Sequence, residues 1–203
     1  MTTTNPTATP VSFNDEPLIL VDAQDNEVGY ASKIDAHKGR GQLHRAFSLF
    51  LFDGPERVLL QQRADLKPLW PSFWSNSCCS HPRQSESYPK ATHRRLLEEL
   101  GVESELFHIY QFEYQASFGD IGSEHELCSV YVGNVQPGAV ITPHPNEVKA
   151  WQWFDCSAVD KWLDDDPNNF TPWFKLEWPQ LRSTYRATLN HLLSEAPLRH
   201  HQK

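Results

Sequence analysis

No apolar run in this chain is longer than the one from Ala46 to Phe52, and the remaining hydrophobic stretches are set between clusters of Gly, Pro, Asn and Asp. A run of that length is far too short to cross a bilayer, so the core has to be assembled from many short elements and no membrane partner is expected. The chain has 203 residues, 39% of them hydrophobic, enough for one domain with a real core. That domain is expected over residues 16–195, between a disordered tail at 1–15, rich in Thr, Pro and Asn, and a flexible tail at 196–203. The start, MTTTNPTATP, carries neither a basic region nor an apolar run and is not read as a secretory signal. Four Cys, with Cys78 and Cys79 adjacent, do not form a disulfide pattern, which points to a reducing, cytoplasmic setting. A monomer is the default expectation.

The order of elements predicts a mixed α/β domain of the α+β kind. Strands are expected at Pro17–Asp22 and around Val28–Tyr30, then a flexible loop at His37–Gly41. Leu43–Phe52 and Arg57–Arg63 read as a hairpin closed by Asp53-Gly-Pro-Glu56, and Trp74–Ser80 as extended chain. Ser87 to Gly101 reads as a helix: Ser87 caps it, Pro89 falls in the first turn where its missing N–H costs little, and Gly101 stops it. Phe107–Phe118, Glu124–Val135 and Val148–Asp155 are further strands. From Ser157 onward the pattern is helical, with a turn at Asp166–Asn169. The sum is a mixed sheet with one central helix and helices at the C-terminal end.

Net charge is −8, which disfavours nucleic acid as a partner. The charge is uneven. From Lys33 to Arg95, 11 basic residues stand against five acids, a balance of +6 that leaves −14 for the rest. This is either an ordinary mixed surface or a local site for a small anion.

Alternation along Asn76-Ser-Cys-Cys-Ser-His-Pro82 puts Cys79 and His81 on one face and Cys78 and Ser80 on the other. A thiol beside an imidazole serves as nucleophile, acid/base group or metal ligand, or it is simply a buried Cys beside a stray His. The same alternation pairs Glu124 with Glu126 and turns His125 away. Two carboxylates leading into an apolar strand need a cation or a shared proton. With His37 and His44, separated by six residues, they would complete a mixed nitrogen and oxygen set suited to a divalent ion. Cys78, Cys128 and Cys156 are read as structural, His125, His200 and His201 as exposed, and Asp164–Asp166 as a solvated turn.

The segment Glu86-x7-Arg94-Arg-Leu-Leu-Glu-Glu-Leu-Gly-Val102 resembles the Nudix box, G-x5-E-x7-R-E-U-x-E-E-x-G-U with U aliphatic. Glu98, Glu99, Gly101 and Val102 match, while Ser80 stands in place of the Gly and Arg95 in place of the Glu after Arg94. Nudix hydrolases use that Glu in their magnesium cluster, so Arg95 argues against pyrophosphate cleavage. The chain is more similar to the Nudix-fold, type I isopentenyl-diphosphate isomerases. The similarity runs over residues 17–190. It covers His37 and His44, the run from Arg63 to Pro82, Tyr114 ten residues before Glu124, and Thr171 to Phe174. Ser75 and Ser85 depart from a common Thr and Gly.

The resemblance implies a Nudix-like fold with a Nudix-type helix and flanking C-terminal helices. It also implies conversion of isopentenyl diphosphate to dimethylallyl diphosphate by protonation and deprotonation through a tertiary cation. Cys79 would act on one side, and Glu126 with Tyr114 on the other, with Trp173 stabilising the cation. His37, His44, His81, Glu124 and Glu126 would hold one divalent metal, manganese, magnesium or zinc. Glu99 would hold a magnesium ion bound to the substrate's diphosphate, and Lys33, Arg63, Lys67 and Arg95 would contact that diphosphate. All four lie in the basic segment. The alternatives are a Nudix pyrophosphohydrolase of a nucleoside diphosphate derivative and a non-catalytic anion-binding domain.

Overall fold

The computed structural model describes residues 9–136 and 138–194. Its axis is β3 (His44–Phe52), buried almost end to end. The strand is apolar on both faces because both are covered. Phe47, Leu49 and Leu51 pack towards α2 (Tyr88–Leu100), whereas Phe50 and Phe52 pack against Phe174, Trp178 and their neighbours. The latter belong to the C-terminal helices α3 (Cys156–Asp165), α4 (Pro172–Arg182) and α5 (Arg186–Ser194).

Strand β8 (Gly122–Asn134) runs parallel to β3 along its whole length, from His44 opposite Glu126 to Phe52 opposite Asn134. Along the other edge of β3 come β1 (Pro17–Val21), β6 (Cys78–Ser80) and the first residues of β4 (Arg57–Arg63), all antiparallel. β2 (Glu27–Ser32), β5 (Trp74–Ser75), β7 (Leu106–Phe118) and β9 (Val148–Asp155) extend the sheet through β1, β4 and β8. The mixed α+β architecture expected from the sequence is what forms.

Four local expectations need correction. The β3–β4 hairpin pairs only at Leu51–Leu59 and Phe52–Val58, because β6 takes up β3 beyond that point and β9 takes up β4. The stretch 74–80 is two short strands rather than one. At the break, Asn76 Nδ2 donates to Cys78 O (2.7 Å) and Ser77 Oγ to Leu59 O (2.6 Å), side chains replacing ladder bonds. Residues 37–41 are a pinned turn and not a flexible loop. They follow α1 (Lys33–Ala36), with Gln42 N donating to Ala36 O (2.8 Å) and Ser123 Oγ to Gly39 O (2.7 Å). Ser87 stands at the start of α2 but makes no side-chain capping bond, while Gly101 closes the helix at φ 64° as expected.

Of the expected tails, residues 1–8 and 195–203, with His200 and His201, lie outside the described residues. Residues 9–15 are folded against the domain. Thr9 O accepts from His144 Nε2 (3.0 Å), Val11 O from Arg95 Nη1 (2.9 Å) and Ser12 Oγ from Lys33 Nζ (2.6 Å). The buried guanidinium of Arg95 and the half-buried ammonium of Lys33, which need acceptors, supply the reason.

Candidate active site

Register places the two faces of chemistry. Ser48 on β3 lies opposite Cys79 on β6, and His44 lies opposite Glu126 on β8. On β7, Tyr114 lies opposite Glu126, and its hydroxyl donates to Glu126 Oε2 at 2.7 Å. Gly122 lets the start of β8 come up against α1: a Cβ there would sit 2.7 Å from His37 O, and Ser123 N instead donates to that carbonyl at 2.9 Å. His37 is thereby held beside Glu124.

The expected metal set comes together. One ligand atom from each of His37, His44, His81, Glu124 and Glu126 lies within 4.8 Å of all the others. The three imidazole rings meet at centroid distances of 4.9–5.6 Å. His37 Nε2 lies 2.6 Å from Glu124 Oε2 and His81 Nε2 3.0 Å from Glu126 Oε1, while His44 Nε2 is buried without a hydrogen-bond partner. Such orphaned, convergent lone pairs fit a divalent cation with nitrogen and oxygen ligands. The backbone fixes the ring orientation of two of them: His37 Nδ1 lies 2.6 Å from Lys33 O, and His44 Nδ1 lies 2.7 Å from Gln42 O. Burial pushes His44 down to about 4 and His81 well below the usual imidazole range, so both present neutral rings. Burial opposes the charge on Glu124, but His37 outweighs it and draws the group down to about 2. Burial and the Glu124 charge together raise Glu126 well above the ordinary carboxylate range.

A cavity of about 680 Å³ opens on this cluster and is lined by Cys79, Tyr114, Glu126 and Trp173 together with the basic residues. Burial pushes the Cys79 thiol up to about 12 against the pull of Arg63, whose Nη1 lies 3.7 Å from Sγ. Trp173 is fixed by its indole N–H, which lies 2.9 Å from Ser75 Oγ and 3.0 Å from Asn76 Oδ1. Thr171 N donates to Trp74 O (3.0 Å), docking the start of α4 on β5.

Lys33, Arg63, Lys67 and Arg95 all line the same cavity. Arg63 spends three donors on Trp70 O (3.1 Å), Leu69 O (2.9 Å) and Cys79 Sγ, which leaves two of its five for a ligand. These bonds hold a loop in which Trp70 and Ser72 have positive φ. Burial, then Lys67 and Arg95, lower Lys33 to about 8. Glu99 lies behind Arg95, its Oε1 accepting from Arg95 Nε at 3.0 Å, and does not line the cavity.

Two acids at the site were not anticipated. Glu147 accepts from Lys67 Nζ and lies 3.5 Å from Arg95 Nη2. Glu177 is fully buried beside Cys128 Sγ (3.6 Å), its Oε2 has no partner, and burial pushes it up to about 8. Its spacing of four from Trp173 on α4 was a usable signal, because that spacing puts both on one helix face. Glu147, one of 26 acids, had none. Cys78, Cys128 and Cys156 are buried free thiols, and His125 pairs with Glu113 at the surface.

Comparison with known proteins identifies the fold and the family. Residues 42–174 match the NUDIX domain. The chain is 44% identical over 168 residues to isopentenyl-diphosphate Delta-isomerase 1 of Photorhabdus laumondii, spanning 82% of this chain and 94% of that one. It is 45% identical over 163 residues to the isopentenyl-diphosphate Delta-isomerase of Serratia proteamaculans, spanning 79% and 88%. Among solved structures, the fold is shared with the DR0079 protein of Deinococcus radiodurans (TM-score 0.61, 21% identity, 74% of this chain and 90% of that one). It is also shared with a MutT protein of Methanosarcina mazei (TM-score 0.56, 13% identity, 70% and 95%). Identity at this level across most of both chains, joined to a matching domain, makes this chain a member of the isopentenyl-diphosphate Delta-isomerase family within the Nudix superfamily.

Proposed function

We propose that this chain catalyses the reversible 1,3-allylic rearrangement of isopentenyl diphosphate to dimethylallyl diphosphate in isoprenoid biosynthesis. The observation that carries this reading is one cavity lined at once by Cys79, by the Tyr114–Glu126 pair, by the Trp173 ring and by four basic side chains. An unactivated alkene is a poor base and its allylic C–H a very weak acid. Protonation of the terminal carbon creates a tertiary cation at C3, and the neighbouring C2 hydrogens then become acidic. Two acid/base groups in a dry pocket carry out both transfers.

Glu126, whose protonated form is favoured by burial and by the Glu124 charge and whose carboxyl is bonded to Tyr114, donates the proton in the forward direction. Cys79 accepts the C2 proton, and Arg63 next to its sulfur stabilises the thiolate needed for that step. The reverse reaction exchanges the roles. The Trp173 face stabilises the cation, and the Leu69, Trp70 and Tyr114 side chains around it exclude water that would trap the cation as an alcohol. A divalent metal on His37, His44, His81, Glu124 and Glu126 would fix the Glu126 carboxyl and tune its proton affinity. Lys33, Arg63, Lys67 and Arg95 bind the diphosphate, and Glu99, which lies behind Arg95 and off the cavity, would reach its magnesium only with Arg95 displaced. A pyrophosphohydrolase reading is disfavoured by the guanidinium of Arg95 at the acidic position of the box. We place the protein in the cytoplasm as a monomer. Among the described residues, no helix is long and apolar enough to cross a membrane.

Proton NMR of isopentenyl diphosphate in deuterated water with magnesium tests this. Conversion with deuterium uptake is expected, with a loss of at least ~100-fold in Cys79→Ala. Full activity in that variant would remove Cys79 from the chemistry. Nucleotide hydrolysis without isomerisation would overturn the function.

A further inference from the structure

Glu147 sits where a diphosphate-binding wall should be free of negative charge. Its side chain is 3% exposed and lines the cavity, and its Oε2 meets both Lys67 Nζ and, at 3.5 Å, Arg95 Nη2. The backbone holds it there from two sides. Ala64 N, at the end of β4 next to Arg63, donates to Glu147 O at 3.0 Å. Glu147 N donates to His144 O (3.0 Å), and His144 N donates to Glu99 O on α2 (2.8 Å). Glu99, by contrast, is shielded from the cavity by Arg95.

A buried ion pair kept for stability alone would need one cation. Here a single carboxylate oxygen is shared by two of the cations meant for the ligand. A metal-free diphosphate approaching Lys67 would meet the Glu147 carboxylate on the same ammonium group, like charge against like. A divalent cation carried by the diphosphate reverses the sign, because magnesium takes oxygen ligands from one or two carboxylates together with phosphate oxygens.

We infer that Glu147 makes this pocket selective for the metal complex of a diphosphate over the free diphosphate, by presenting a cavity-facing carboxylate oxygen beside Lys67. The inference rests on the reading above that the basic wall holds a diphosphate, and it names a specificity-determining residue for that site.

The test is calorimetric binding of inorganic pyrophosphate, with and without excess magnesium. The protein carries one equivalent of zinc so that the His/Glu cluster is already filled. Wild type should bind roughly tenfold or more tightly with magnesium; Glu147→Gln should tighten on free pyrophosphate by a similar factor and lose most of the magnesium gain. Glu147→Asp, which keeps the charge, should retain that gain. Equal affinity of the unaltered protein for free and magnesium-bound pyrophosphate overturns the inference without any variant. So does an undiminished magnesium gain in Glu147→Gln, or an equal loss in Asp and Gln, which would mark a merely structural ion pair. Absence of pyrophosphate binding by wild type under both conditions overturns it together with the diphosphate reading. Binding that prefers magnesium equally in all three proteins overturns this inference alone.

Discussion

The guanidinium of Arg63 lies 5.1 Å from the centre of the Trp173 ring. One side chain thereby spans the anionic end of the site and its apolar end, and it reaches the Cys79 sulfur as well. The Trp173 ring already lies against a fixed cation, and in the proposed reaction it would meet a transient one as well.

Replacing Trp173 with Leu keeps an apolar side chain but removes the π face. A cation–π contact worth ~2 kcal/mol corresponds to a fall of about 30-fold in kcat, with KM changed much less. Steady-state kinetics decide: a raised KM at unchanged kcat would reduce Trp173 to packing.

Metal binding should stabilise the fold measurably. At 100 times the Kd, one divalent ion on the His/Glu cluster adds about 2.7 kcal/mol, or roughly 5–10 °C in Tm for a chain of this size. A chelator should reverse the gain, and His44→Ala should abolish it. A full thermal shift in His44→Ala would exclude His44 from the ligand set.

Lys33 sets an alkaline limit. Burial and the neighbouring Lys67 and Arg95 lower it to about 8 in the free protein, so its charge, which the proposed diphosphate binding requires, is present below that pH and lost above it. The pH profile of kcat/KM, which reports the free enzyme, should fall above about pH 8. Lys33→Arg, charged throughout, should move that limb upward; an unmoved limb would assign it to another group.

Glu177 should cost stability at neutral pH. Its folded pKa of about 8 lies above the ordinary carboxyl value of 4.5, so the folded state binds the extra proton between those limits. Stability from this group is fully present below pH 4.5 and declines up to pH 8, by at most ~1.4 kcal/mol per pH unit. Glu177→Gln should match wild type near pH 4.5 in urea unfolding and exceed it increasingly towards pH 8. A constant difference across that range would show that the carboxyl is not the titrating group.

Four site residues were readable because strands impose a period of two, whereas most of the others came from the family resemblance. Alternation alone separated Cys79 and His81 from Cys78, and Glu124 and Glu126 from His125, and the register reproduces both separations. What could not be read were contacts made across the sheet ends. Glu147 acquires its place from its own backbone bond to Ala64, about 80 residues away, and from its bond to His144, which is tied in turn to Glu99. Residues 9–15 look disordered by composition, yet they are fixed by hydrogen bonds to Lys33, Arg95 and His144. The break at Asn76–Ser77 escaped notice for a similar reason, since their side chains bond to strands that only the fold brings near.

Strand β3 has a consequence for how such a protein can vary. Cys79 hangs on it at Ser48 and Glu126 at His44, so the separation between the two sides proposed to handle the proton is counted out in residues of one strand. Length changes in the turn at 53–56 leave that count untouched. A single residue inserted between His44 and Ser48 would invert every side chain beyond it, exchanging the face under α2 with the face under α4. The gauge can be kept or lost but not lengthened by small steps. Descendants that drift towards bulkier substrates therefore have to find room in the loops, with the strand left as it is.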